Sequence, residues 1–114
     1  MIHCGDTVWH GSWWKLGMQY GPFDAAFLPI NGALVGWPVP PSGIPASLTP
    51  EQAAAAAQIL GARLACANHY GWNSPPGYVE FPNCEKAFLE AARGRGVNAV
   101  AVRPGDLVLL PERR

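Results

Sequence analysis

The sequence predicts an α/β fold, on three observations. Short apolar runs suited to buried strands alternate with longer segments of helical character. Glycine and proline, 13 and 12 of them, punctuate the segments between. Apolar residues make up 49% of the 114, which supports one packed domain and argues against a disordered chain.

Along the chain, residues 1–4 make a strand stub. Ser12 is placed to cap a short helix with Trp13, Leu16 and Tyr20 on one face, closed by Gly21-Pro22. "DAAFLPI", residues 24–30, reads as a buried strand with Pro29 at its end or on an edge. Residues 31–48 are rich in proline and glycine and read as a long loop. "TPEQ" is a helix start: Thr49 caps, Pro50 takes the first turn, and Gln52 completes a capping box. An alanine run follows, and Gly61 ends it. "RLACAN" is a strand ending at His69, and "HYGWNSPPGY" a second loop. Asn83 opens a third helix with a stripe of Cys84, Ala87, Phe88 and Ala91, ended by Gly94 and Gly96. "VNAVAV" is a strand, Arg103-Pro104-Gly105-Asp106 a turn, and "LVLL" the last strand. The order is β-α-β-α-β-α-β-β, a layered α/β pattern.

Composition narrows the function. Eight Lys/Arg balance eight Asp/Glu, so no net field draws in nucleic acid or an anionic membrane. Three widely spaced cysteines fit buried thiols in a reducing compartment better than a disulfide framework. No secretory leader pattern opens the chain, and its most apolar stretch is broken by Gln58, Gly61 and Arg63. The expectation is a cytoplasmic protein acting on a small molecule, with no membrane span.

Function in α/β folds gathers at the carboxyl ends of the strands. Asp6, Asn31 and His69 each fall just after a predicted strand. Asp6 and His69 are metal-ligand types, but zinc takes about four ligands, and the chain has no His-x-His, His-x-x-x-His or Cys-x-x-Cys. The residues alone leave other readings open. Asp6 suits a turn or cap carboxylate accepting backbone N–H groups. His69 suits a hydrogen-bonded histidine at a strand end. His3 and His10 read as partly exposed, and Cys4 and Cys66 as small core residues. Trp9, Trp13, Trp14, Trp37, Tyr70 and Trp72 lie in or beside loops, where they bury a ligand or a partner, or else Trp13 is core and the others cover the loops. No Gly-x-Ser-x-Gly and no phosphate-binding glycine loop is present.

Taken in order, "GDT", "DAAFLPI", "NGA", "TPEQA", "RLACANHYG", "VNAVAV", "RPGD" and "LVLL" resemble the C-terminal half of a metallo-β-lactamase-fold hydrolase. The resemblance covers nearly the whole chain. It is nearest to the branch of ascorbate-6-phosphate lactonase-like and N-acyl-phosphatidylethanolamine phospholipase D-like proteins. It implies an αββα sandwich of two similar halves, of which residues 1–114 are one: a partial domain, a mixed sheet with helices on one face. It implies one or two metal ions, usually zinc, at the rim between the halves. Asp6 matches the family's metal-bridging aspartate and His69 its last metal-binding histidine, so both are implied as metal ligands and catalytic residues. Asn31, Tyr70 and Trp72 are candidate pocket residues. The implied reaction is hydrolysis of an ester, lactone, amide or phosphodiester by metal-activated hydroxide.

The family's His-x-His-x-Asp-His signature and a further histidine belong to the N-terminal half and are not in this sequence. A histidine that some members carry two residues before the threonine of "TPE" is Ser47 here. The chain therefore reads as N-terminally truncated and inactive alone, pairing with a missing N-terminal half or with itself. The alternatives are a non-catalytic remnant or subunit that pairs through an exposed sheet face, and an aromatic-lined binder without metal.

Overall fold

Three strand–helix–strand units in succession build the sheet. The computed structural model describes residues 1–110. Its elements are β1 (Ile2–His3), α1 (Trp13–Tyr20), β2 (Ala26–Pro29), β3 (Leu34–Val35), α2 (Pro50–Leu60), β4 (Ala65–Asn68), β5 (Tyr78–Val79), α3 (Cys84–Gly94) and β6 (Ala99–Ala101). A four-stranded sheet runs β1-β2-β4-β6, with every neighbouring pair parallel. The α/β class is as expected. The mixed sheet resolves into this parallel sheet and a separate antiparallel pair, β3 with β5. Parallel pairing puts the carboxyl ends of all four strands on one edge, where Asp6, Asn31 and His69 follow β1, β2 and β4.

Register assigns the two faces. Ile2, Ala26, Ala65 and Ala99 form one row. With Leu28 and Ala67 they join one core with Trp13, Leu60, Phe88 and Ala92 of the helices. The intervening row, His3, Phe27, Cys66 and Val100, faces away from the helices. There the His3 ring stacks on Phe27 at 5.6 Å, and Cys66 is fully buried. Small side chains on β4 and α2 let the layers approach. Ala53, Ala54, Ala56 and Ala57 are all buried, so this helix packs by closeness rather than bulk.

Helix α2 starts as its sequence dictates. The Gln52 N–H donates to Thr49 Oγ1 at 3.2 Å, and the Thr49 N–H to Gln52 Oε1 at 3.1 Å. Gly61 closes it in the left-handed conformation. Ser12 stands at the α1 N-cap, but its side chain makes no cap bond. Its backbone is already helical (φ −86°, ψ −1°), whereas a capping side chain needs an extended residue. Tyr20 is exposed, leaving Trp13 as the buried anchor of α1. On α3 the buried stripe is Cys84, Phe88 and Ala92, turned by one residue from the expected Ala91. "LVLL" forms no strand: residues 107–110 have no ladder partner among the described residues, and Leu107 and Leu109 are 93% and 87% exposed.

Two consequences follow for stability. A Cβ on Gly17 would lie 2.5 Å from the Ile59 carbonyl oxygen. Alanine ordinarily gains up to about 1 kcal/mol over glycine inside a helix. Here the clash is with the backbone of α2 and dominates, so Gly17→Ala should cost about 1–3 kcal/mol in urea unfolding. The second concerns Cys4, whose thiol burial pushes up from 9.0 to about 11. A folded pKa above the unfolded value favours the native state while the thiol stays protonated. That contribution is intact below pH 9.0 and is lost as pH rises toward about 11. Melting temperature should fall across that window in the parent chain, and less steeply in Cys4→Ala.

Candidate functional site

The "HCGDT" turn is held from both ends. The Gly5 N–H donates to His3 Nδ1 at 3.1 Å, while Gly5 takes a left-handed φ of +61°. A neutral His3 with Nδ1 accepting carries its proton on Nε2. That nitrogen faces the Asn68 side-chain amide at 3.0 Å, so the pairing requires Asn68 to turn its carbonyl oxygen toward the ring. On the far side of the turn, the Leu48 N–H donates to the Thr7 carbonyl at 2.9 Å. His3 thus ties the Asp6 turn to the end of β4, a structural task its lone position in the sequence did not disclose. His10 acts similarly: its Nδ1 accepts the Ser12 N–H, and its ring stacks on Trp13 at 4.2 Å.

This framework brings Asp6 and His69 together. His69 Nε2 lies 3.8 Å from Asp6 Oδ2, beyond direct hydrogen-bond length. The side chains are 60% and 40% exposed for Asp6 and His69, and neither has another hydrogen bond among the described residues. The cap reading of Asp6 and the satisfied-histidine reading of His69 are therefore not what the structure shows. His69 sits at φ +54°, a left-handed backbone that costs a non-glycine residue about 1–2 kcal/mol. The turn after it is clamped, since the Gly71 N–H donates to both Glu80 oxygens at 3.1 and 2.9 Å. His69→Gly should accordingly be more stable than His69→Ala by about 1 kcal/mol, read from paired urea denaturations.

The donor types suit a divalent cation such as zinc. Two ligands of one tetrahedral zinc at about 2.1 Å each stand about 3.4 Å apart, so the pair is a few tenths of an ångström wider than a shared ion requires. The count does not suit a complete site. Among the described residues no group of three or more His, Cys, Asp or Glu is placed to hold a metal ion. Burial pushes all three cysteine thiols up, with Glu80 adding to the effect at Cys84, and none is paired. They do not extend the donor set.

Asn31 is not at the Asp6–His69 gap itself but beneath a neighbouring cavity. It is 2% exposed. The Ser47 hydroxyl, also buried, donates to Asn31 Oδ1, and Asn31 Nδ2 donates to the Tyr78 hydroxyl at 2.8 Å. Asn31, Tyr70, Trp72, Tyr78 and Glu80 line a cavity of about 230 Å³ with His69. The Tyr70 hydroxyl donates to the Val102 carbonyl at 3.1 Å. Burial is the main reason its phenol is pushed up. A wider groove of about 1400 Å³ runs from His3 and Phe27 past His69 to Leu89 and Arg93 on α3. Sequence reasoning missed Tyr78, whose place depends on the β3–β5 pair. Trp9, Trp13 and Trp14 cluster around α1 and do not line this cavity.

No family model and no curated protein matches the chain. Among solved structures it is similar to Igni18, a metallo hydrolase from the hyperthermophilic archaeon Ignicoccus hospitalis. The identity is 23% and the TM-score 0.66, over 96% of this chain and 40% of that one. The chain thus has the fold of part of a metallo hydrolase and spans well under half of that protein's length. No helix among the described residues is long and apolar enough to cross a membrane.

Proposed function

We propose that the chain is one part of a metal-dependent hydrolase domain of the metallo-β-lactamase type, with Asp6 and His69 contributing ligands to a divalent metal, zinc foremost. The observation that carries this is the meeting of the two side chains at the strand-end rim, Nε2 to Oδ2 at 3.8 Å, in a fold shared with part of a metallo hydrolase. A metal there would activate water and polarise the scissile ester, lactone, amide or phosphodiester bond. The ligand count requires further donors from a polypeptide segment outside residues 1–114. That segment would pack on the helix-free face of the sheet and against the exposed Leu107 and Leu109. The three free thiols favour a reducing, cytoplasmic setting. The same leucines favour, as second reading, a non-catalytic subunit that pairs through this surface without metal.

Zinc titration by calorimetry tests the proposal. The chain alone should bind zinc weakly. Co-expression with a half-domain carrying His-x-His-x-Asp-His should make binding tight and should keep the chain soluble. Tight stoichiometric zinc in the chain alone would show the ligand count to be wrong and point to His3, His10 or Cys4. No gain on co-expression would favour the pairing subunit.

A further inference from the structure

The hydrogen-bond chain under the small cavity has a direction. Ser47 donates to Asn31 Oδ1, which leaves the Asn31 amide nitrogen to donate to the Tyr78 oxygen at 2.8 Å. The Tyr78 oxygen is then an acceptor, and its own proton has no acceptor among the described residues. A phenol carries one such proton, and donation by Asn31 polarises it. The ring bearing it is fixed. Trp37 stacks on Tyr78 at 6.3 Å and 16°, and Trp72 packs on it at 4.6 Å and 53°. Both tryptophans also present open surface, being 64% and 59% exposed.

The cavity that Tyr78 shares with His69 holds one carboxylate, Glu80, and no lysine or arginine. Glu80 is held in place by the Gly71 N–H. A hydrogen-bond donor, an aromatic wall and a fixed negative charge select for a neutral oxygen on a flat apolar body and against an anionic head group. We propose that Tyr78 is a substrate-binding residue whose hydroxyl donates to a neutral carbonyl oxygen, with Trp72 stacking on the adjoining apolar group. Of the bond types a metal-dependent hydrolase could cleave here, lactones, esters and amides carry the carbonyl that this donor and aromatic wall would recognise. Its use in turnover rests on the hydrolase reading. Its binding does not, because no metal is needed for it, so the two ideas fail separately.

The test is titration of the metal-free chain, followed by amide NMR, with three probes: coumarin, a flat neutral lactone; benzofuran, which lacks the carbonyl; and phenyl phosphate, an anion. Coumarin should shift the resonances of Asn31, His69 and Tyr78, and bind more tightly than phenyl phosphate. Tyr78→Phe keeps the ring and removes the donor. It should weaken coumarin about 3- to 10-fold, the range of one neutral hydrogen bond, and leave benzofuran unchanged. Trp72→Ala should weaken coumarin and benzofuran alike. An unaltered coumarin affinity in Tyr78→Phe, an equal loss for benzofuran, tighter binding of phenyl phosphate, or shifts located elsewhere would each overturn the assignment.

Discussion

Asp6→Ala and His69→Ala should each cut hydrolysis by the proposed assembled domain, this chain together with a segment that would supply the other metal donors, by on the order of 10²- to 10⁴-fold. Metal activation lowers a hydrolytic barrier by several kcal/mol, and each 1.36 kcal/mol is about tenfold in rate. Removing either donor would deprive a bound cation of one of the few ligands this chain can offer it. The exposure of both side chains means that neither variant opens a cavity in the core. The loss should therefore appear in kcat/KM with the melting temperature almost unchanged. His69→Gly is the informative companion, because it removes the same imidazole while relieving the left-handed strain at φ +54°. An inactive His69→Gly chain that is at least as stable as the parent would separate the ligand role from any structural one. Full activity in one of these alanine variants would remove that residue from the chemistry.

Phe88→Ala should remove a large share of the chain's stability. Phe88 is fully buried on α3 within the one core that joins the helices to the sheet. The core it belongs to is rich in alanine: Ala53, Ala54, Ala56 and Ala57 on α2, and Ala65 and Ala67 on β4. A core of such small residues has little side chain with which to collapse into the space. A buried Phe→Ala change costs about 3–5 kcal/mol, against about 5–15 kcal/mol for a whole domain. The other large fully buried apolar anchors are few, chiefly Trp13, Leu28, Ile30, Leu48 and Leu60. Circular dichroism with urea should show a collapsed midpoint or a non-cooperative slope. A midpoint lowered by less than the equivalent of about 1 kcal/mol would mean that the core is not organised around Phe88.

Local chemistry made much of this architecture legible in the sequence. The capping box at Thr49 and Gln52 and the left-handed Gly61 depend on residues within a few positions of one another, and they form as read. Alternation of strands with helices implied strand ends on one rim, and Asp6 and His69 do meet there. What was hidden depends on partners distant in the chain. β3 and β5 are two residues each, too short to carry a periodicity, so Tyr78 looked like loop. Its hydrogen bond to Asn31 spans 47 positions. "LVLL" has strand composition, but a strand also needs a neighbour to hydrogen-bond, and residues 107–110 find none among the described residues. Helix α3 carries apolar residues at both Ala91 and Ala92, and only docking on β6 and α2 decides that Ala92 faces inward.

Cobalt(II), a paramagnetic stand-in for zinc, tests the proposed pairing of Asp6 and His69 as metal ligands on the chain alone. Titrated into the isotope-labelled chain, cobalt(II) should perturb first the NMR signals of Asp6, His69 and the adjoining Gly5 and Tyr70. Binding should be weak, as two donors dictate, and Asp6→Ala should abolish the effect. Perturbation centred on His10 or Cys4, or an unchanged response in Asp6→Ala, would contradict it.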